Sequence, residues 1–409
     1  MHFTCRSIQY RDFRNAHTAI PVRIPLIDGR TAAPHIQGIA MMPPRFPSIP
    51  LFKVFMSPKE QLLPRLTEVL YSGQISEGPP VAEFERQFAR FVDQPDSLSF
   101  YSGTAALHTA IALAGVAPGD EVISTAMTAE PTNLAILHAG GSVVWGDVDP
   151  CNGNIDPLSV ESMITPRTRA IVAVHYGGVP VSLTRLSEVA ARWGIPVIED
   201  AAHALGAKYG GKLIGAHSRF VMYSLQAIKH MTTVDGGMLI CRDPEDGIRG
   251  RRFRWFGMDR AATRTELDIS EIGYKYHMNN VNAVIGQVQL ENIAPVIAKH
   301  VENGKWMDGA LKNLDGLRLC TWDAEAQPSY WFYTLLAERR DDLAKALSSR
   351  GIGCSLAHKR NDRHSLFKRS RRELPGLDLF YSRMLHIPCG WWVTREDREY
   401  IADAIKRGW

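Results

Sequence analysis

A chain of 409 residues, 45% hydrophobic and 22% charged, is too long for one small core and suits a large α/β domain with a smaller companion. Its net charge of +4 is spread over both signs, which argues against a general nucleic-acid stripe. Six scattered cysteines without a CxxC pair argue against a disulfide framework or zinc site and for reduced thiols.

No apolar run approaches the roughly 20 residues that span a bilayer. Residues 1–48 carry Arg6, Arg11 and Arg14 and are broken by Pro21, Pro25, Pro34, Pro43 and Pro44. With no apolar stretch followed by a small-residue cleavage site, they read as a poorly ordered extension rather than a secretory signal. The expected location is cytoplasmic.

From Ser57 to Val92 the apolar spacing is helical, interrupted by a Gly/Pro break. A regular alternation follows. Strands are predicted at Leu98–Tyr101, Glu121–Thr125, Ser142–Val148, Arg169–His175, Pro196–Asp200, Phe220–Leu225 and Gly237–Cys241. Helices are predicted at Thr104–Ala114, Pro131–His138, Pro157–Ile164 and Leu183–Trp193. Strands joined by helical crossovers imply a mostly parallel sheet with helices on both faces. Such sheets bind ligands beyond the carboxyl ends of their strands. Beyond Tyr274 the pattern is helical from Val281 through Val301 and then becomes a smaller α+β segment. The expected division is an extension over 1–48, a large domain over 49–290 and a small domain over 291–409.

Four segments carry candidate chemistry. Ser102-Gly103-Thr104 lies where a strand meets a helix, and free N–H groups at a helix N-terminus suit a phosphate. Taken alone, it more often marks an ordinary N-cap. Val197–Asp200 is an apolar strand ending in two carboxylates, followed by His203. Period-two geometry puts those carboxylates on opposite faces; one is placed to protonate a cofactor ring nitrogen or, equally, to cap the next helix. Ser224–His230 sets Lys229 between an apolar strand and the Gly236-Gly237 turn, where burial lowers an amine's proton affinity. A lysine reaching solvent from a strand end fits that stretch equally well. The fourth, Gly273–Asn280, opens the long helix, and by itself it is a polar helix start.

Together, in this order and spacing, the segments resemble the DegT/DnrJ/EryC1/StrS sugar aminotransferases, which are fold-type I pyridoxal-phosphate enzymes. The resemblance runs from about Ile49 to the C-terminus. It is most specific over Val197–Gly237, where the strand-end EDAAH joins an S-x-x-x-x-K-x-x-T-T-x-x-G-G block. It implies pyridoxal 5′-phosphate as cofactor, Lys229 as the Schiff-base lysine and Asp200 as partner of the pyridine nitrogen. By the same resemblance His203 would lie near the phenolic oxygen, and Gly103, Thr104 and Ser224 would meet the phosphate. The family's activity would be amino transfer, glutamate to keto-sugar, in a homodimer with shared sites; no metal, nucleic acid or membrane is expected.

The sequence departs from that pattern in places. The position that usually stacks an aromatic ring on the cofactor is Ala129. In the block that often reads G-Y-N-Y-R-M, Lys275 and His277 replace Asn and Arg. The family's Asn reaches the partner subunit's cofactor phosphate, a role that would pass to Lys275. A branch of the family that dehydrates sugars carries His for the lysine; this chain keeps Lys229, which favours transamination over dehydration. A regulator retaining only the fold would need neither Lys229 nor Asp200. Around Phe253, Trp255 and Phe256 cluster Arg251, Arg252, Arg254 and Arg260. This patch suits the diphosphate and base of a nucleotide-sugar, or else a solvated or subunit-interface segment. Arg254, Arg260 and His277 are therefore the expected substrate contacts, with an unactivated keto-sugar or sugar acid as the alternative substrate.

Overall fold

The computed structural model describes residues 48–409 apart from Ala261 and Arg264. The N-terminal extension, but for Ser48, lies outside the described residues. Two helices come first, α1 (Lys59–Tyr71) and α2 (Pro79–Phe91). The prolines opening α2 supply a preset helical φ where no intrahelical N–H bond is needed.

The alternating segment contains β1 (Leu98–Phe100), α3 (Gly103–Leu113), β2 (Glu121–Thr125), α4 (Glu130–His138) and β3 (Ser142–Gly146). It continues through α5 (Pro157–Met163), β4 (Thr168–Val174), α6 (Leu183–Trp193) and β5 (Val197–Asp200). A small hairpin of β6 (Lys208–Tyr209) and β7 (Lys212–Leu213) precedes β8 (Phe220–Ser224), β9 (Gly237–Cys241) and α7 (Pro244–Phe253). Then comes the long α8 (Asn280–Ala310). The remainder comprises β10 (Leu317–Leu319), β11 (Ala326–Gln327), β12 (Tyr333–Ala337), α9 (Arg340–Ser348), α10 (Pro375–Arg383), β13 (Met384–Ile387) and α11 (Arg395–Lys406).

Seven strands form the main sheet in the order β1-β9-β8-β5-β4-β2-β3. Only β9 runs against the others, pairing antiparallel with both β8 and β1. Residues 170–174 of β4 are all buried, as a parallel sheet covered on both faces requires. This topology positions the site. The carboxyl ends of β1, β2, β5 and β8 share one edge, and the chain between β8 and β9 turns back at that edge.

Phe84 and Phe88 of α2 are fully buried, each worth roughly 1.5–3 kcal/mol of transfer free energy. Their helix packs on α8, as does α1, whose Leu62 meets Ile285 and Val288. Asn279 caps α8 by accepting from Asn282 N at 2.9 Å. The helix passes through Pro295, where burial of Ile293, Val296 and Ile297 outweighs one lost backbone bond, and runs nine residues past the expected Val301, burying Asn303 and Met307 there. Residue 290, the expected domain edge, thus falls within α8. Its later part, at Met307, joins a second core with the antiparallel β10-β12-β13 sheet, α9 and α11. The sheet β11-β6-β7 was not foreseen, since strands of two residues carry no readable alternation. Among the described residues no helix is long and apolar enough to cross a membrane.

Candidate active site

Turns from separate parts of the chain meet at the carboxyl edge and enclose a cavity of about 310 Å³. The first is the start of α3. Ser102 caps it, its Oγ accepting from Ala105 N at 3.1 Å, so the first-turn N–H groups of Gly103 and Thr104 have no intrahelical carbonyl to meet. A Cβ on Gly103 would lie 3.0 Å from Ser224 Cβ, and one on Gly237 only 2.5 Å from the Ser102 carbonyl oxygen. Glycine is what lets β8, β9 and the α3 turn close into one cradle.

Strand β5 delivers Asp200. Its Oδ2 accepts from Thr132 Oγ1 at 2.8 Å and its Oδ1 from Ala202 N at 3.1 Å. Burial pushes the Asp200 carboxyl up, against the pull of Thr132, Ala202 and Lys229. Glu199 projects to the other face, where His175 Nε2 lies 2.8 Å away and Ser218 N donates at 2.9 Å.

The turn after β8 delivers Lys229. It keeps access to the cavity but is otherwise enclosed by protein, and burial lowers its amine to about 8, with Asp200 resisting. Its Nζ lies 4.0 Å from the centre of the Trp331 ring.

Gly103, Thr104, Asp200, Ser224 and Lys229 all line this cavity. His203 does not. It is buried behind the wall, stacked on Trp331 at 3.9 Å between centroids, where burial and Lys229 hold it neutral. Ala129 does line the cavity, as the residue before α4. No signal in the sequence marked Trp331 or His358, which line the same wall. Tyr330 and Ala357, which immediately precede them, have φ of +49° and +54°. Such left-handed backbone costs a non-glycine residue about 1–3 kcal/mol and gathers at functional sites.

The other expected contacts lie elsewhere. Arg254 is buried and committed to the protein itself: it is paired with Glu85, donates to Ser99 O at 2.8 Å and to Glu77 at 3.1 Å. Arg260 pairs with Glu77 and covers the Trp255 ring at 4.3 Å. His277 packs edge-on against the same ring at 4.5 Å. None of the three lines the Lys229 cavity; Arg254 and Arg260, with Glu77 and Glu85, line a separate one of about 530 Å³. Lys275 is exposed, 5.7 Å from the Trp255 ring centre, and also lies outside the cavity.

The model of the DegT/DnrJ/EryC1/StrS aminotransferase family matches residues 57–406. The chain belongs to this family. It is 38% identical to the sugar aminotransferase CalS13 from Micromonospora echinospora, with a TM-score of 0.86 over 88% of this chain and 100% of that one. AtS13 from Actinomadura melliaura is 40% identical, also at 0.86, over 88% and 99%. The spore coat polysaccharide biosynthesis protein SpsC of Bacillus subtilis (strain 168) is 30% identical over 359 residues, covering 83% of this chain and 92% of that protein. Members of the family are pyridoxal-phosphate-dependent sugar aminotransferases, and the fold is that of fold-type I.

The residues present fit this cofactor. An amine of lowered proton affinity, a buried carboxylate awaiting a cation and a glycine cradle with free N–H donors match its aldehyde, pyridine nitrogen and phosphate. When bound, pyridoxal phosphate supplies an electron sink for bonds broken at a substrate carbon.

Proposed function

We propose that this enzyme, in the cytoplasm, moves an amino group from glutamate to the ketone of a nucleotide-linked keto-deoxysugar. The observation that carries the reading is the meeting of Lys229 and Asp200 in one cavity beside the Gly103–Thr104 helix start. Likeness to CalS13, a sugar aminotransferase, supports a sugar as the acceptor.

In this reading the chain's own residues divide the work. Asp200 stays ionised by keeping a cation opposite it, steadied by Thr132 and Ala202. Lys229 carries the cofactor between turnovers and, once displaced, takes a proton from one substrate carbon and returns one elsewhere through Nζ. An amine near 8 suits both directions at neutral pH. Gly103, Thr104 and Ser224 hold the phosphate. Exposed Lys275 reaches the phosphate in the partner subunit of a homodimer.

Mass spectrometry of products from a panel of nucleotide-linked keto-sugars with glutamate tests the reading. A mass change from carbonyl to amine, lost in Lys229→Ala, is expected. Amination of none of the panel contradicts it.

A further inference from the structure

Lys229 Nζ makes no hydrogen bond or ion pair with any described residue; what it meets is an aromatic face. That face belongs to Trp331, which is 2% exposed and held from several sides. Its indole Nε1–H donates to the carbonyl of Ile228, the residue just before Lys229, at 2.9 Å. His203 stacks on it with an interplanar angle of 17°, and Phe52 stacks on it at 4.7 Å. Tyr330 presents it through a left-handed backbone. A ring so constrained does more than fill space, because one partner bond fastens it to the very turn that bears the lysine.

We propose that Trp331 is a positioning residue: its indole face seats the Lys229 amine and its N–H locks the lysine turn, so that the amine is aimed into the cavity. The inference rests on the reading of Lys229 as the cofactor lysine. A π face attracts an ammonium most strongly where water is kept out, and so favours the charged form. The charged and titratable groups around the amine are few. Asp200 lies across from it, Asp235 lines the same cavity, and His203, His230 and His358 are all held neutral by burial. Trp331 thus acts with Asp200 against burial, which alone would take the amine lower.

The test uses the full-length protein freed of cofactor. Trace acetylation at a series of pH values, read by peptide mass spectrometry, gives the midpoint at which Lys229 becomes nucleophilic. Trp331→Leu, which keeps the site apolar but removes the face, is expected to lower that midpoint by about one unit. Trp331→Phe keeps a face without the N–H and is expected to restore most of it. In the loaded enzyme, the proton-transfer rate should fall in Trp331→Leu with little change in KM. An unchanged or raised midpoint in Trp331→Leu overturns the proposal, as does Trp331→Phe behaving like Trp331→Leu. If Trp331→Leu does not fold, a full-unit fall in Trp331→Phe is itself the contrary result. The labelling midpoint does not depend on turnover. A Lys229 that proves not to carry the cofactor therefore defeats the functional reading separately.

Discussion

Thr132 donates its hydroxyl to Asp200 across 2.8 Å, and its own oxygen lies 2.9 Å from Thr128 Oγ1, so the carboxylate is tied to the first turn of α4. That bond lowers the proton affinity which burial raises. Thr132→Val keeps the shape and removes the bond. Its kcat/KM should fall about tenfold, and the acid limb of the pH–rate profile should move to higher pH, as losing one hydrogen bond to a charged group implies.

Asp200→Asn should cost far more. A neutral amide cannot hold a protonated ring nitrogen, whereas the phosphate cradle is untouched. The protein should retain cofactor by absorbance yet lose well over tenfold in activity, about 1.4 kcal/mol or more of barrier. A smaller loss would show that Asp200 merely caps the turn at Ala202.

Arg254 answers a different question. It is 5% exposed and pairs with Glu85 and Glu77, so Arg254→Ala strips Glu85 of its counter-charge in the interior, leaving it only the donors of Ser99. Removing one member of a buried pair costs about 3–5 kcal/mol. Chemical denaturation should show a loss of that order, whereas a residue serving only as a substrate contact would raise KM and leave stability alone.

The histidines set the acid limit of the fold. Burial, the largest cause in each, holds His300 and His358 at about 4 and His386 at about 3, and His203 and His230 well below 6.5. Their folded values lie below the unfolded one. The unfolded chain therefore takes up protons first as pH falls, and stability drops from about 6.5 down through about 4. Each such histidine contributes on the order of 1.4 kcal/mol per pH unit. Asp200, raised by burial, opposes this. The melting temperature should fall steeply across that window; a flat profile would contradict the burial of these rings.

How much of this was legible in the sequence follows from the range of the interactions. Glu121–Thr125, Leu183–Trp193 and Gly237–Cys241 were read with their observed bounds, because local period and turn residues decide them. Asp200 ends a strand and Lys229 lies in the turn between two strands, where period-two geometry and the Gly236-Gly237 pair leave a local mark. Trp331 and His358 left none, since they reach the cavity from residues more than a hundred positions after Lys229. The pairing of Arg254 left none either: Glu77, just before α2, and Glu85, within it, come to the arginine through packing that no local pattern encodes.

Everything proposed for the cavity turns on Lys229 as the residue that carries the cofactor. Borohydride reduction of the loaded protein, followed by digestion and mass spectrometry, fixes the cofactor to whichever amine holds it. A pyridoxyl-phosphate mass is expected on the peptide bearing Lys229, and its disappearance in Lys229→Ala. The same mass on another lysine, or none on Lys229 in an active enzyme, would contradict it.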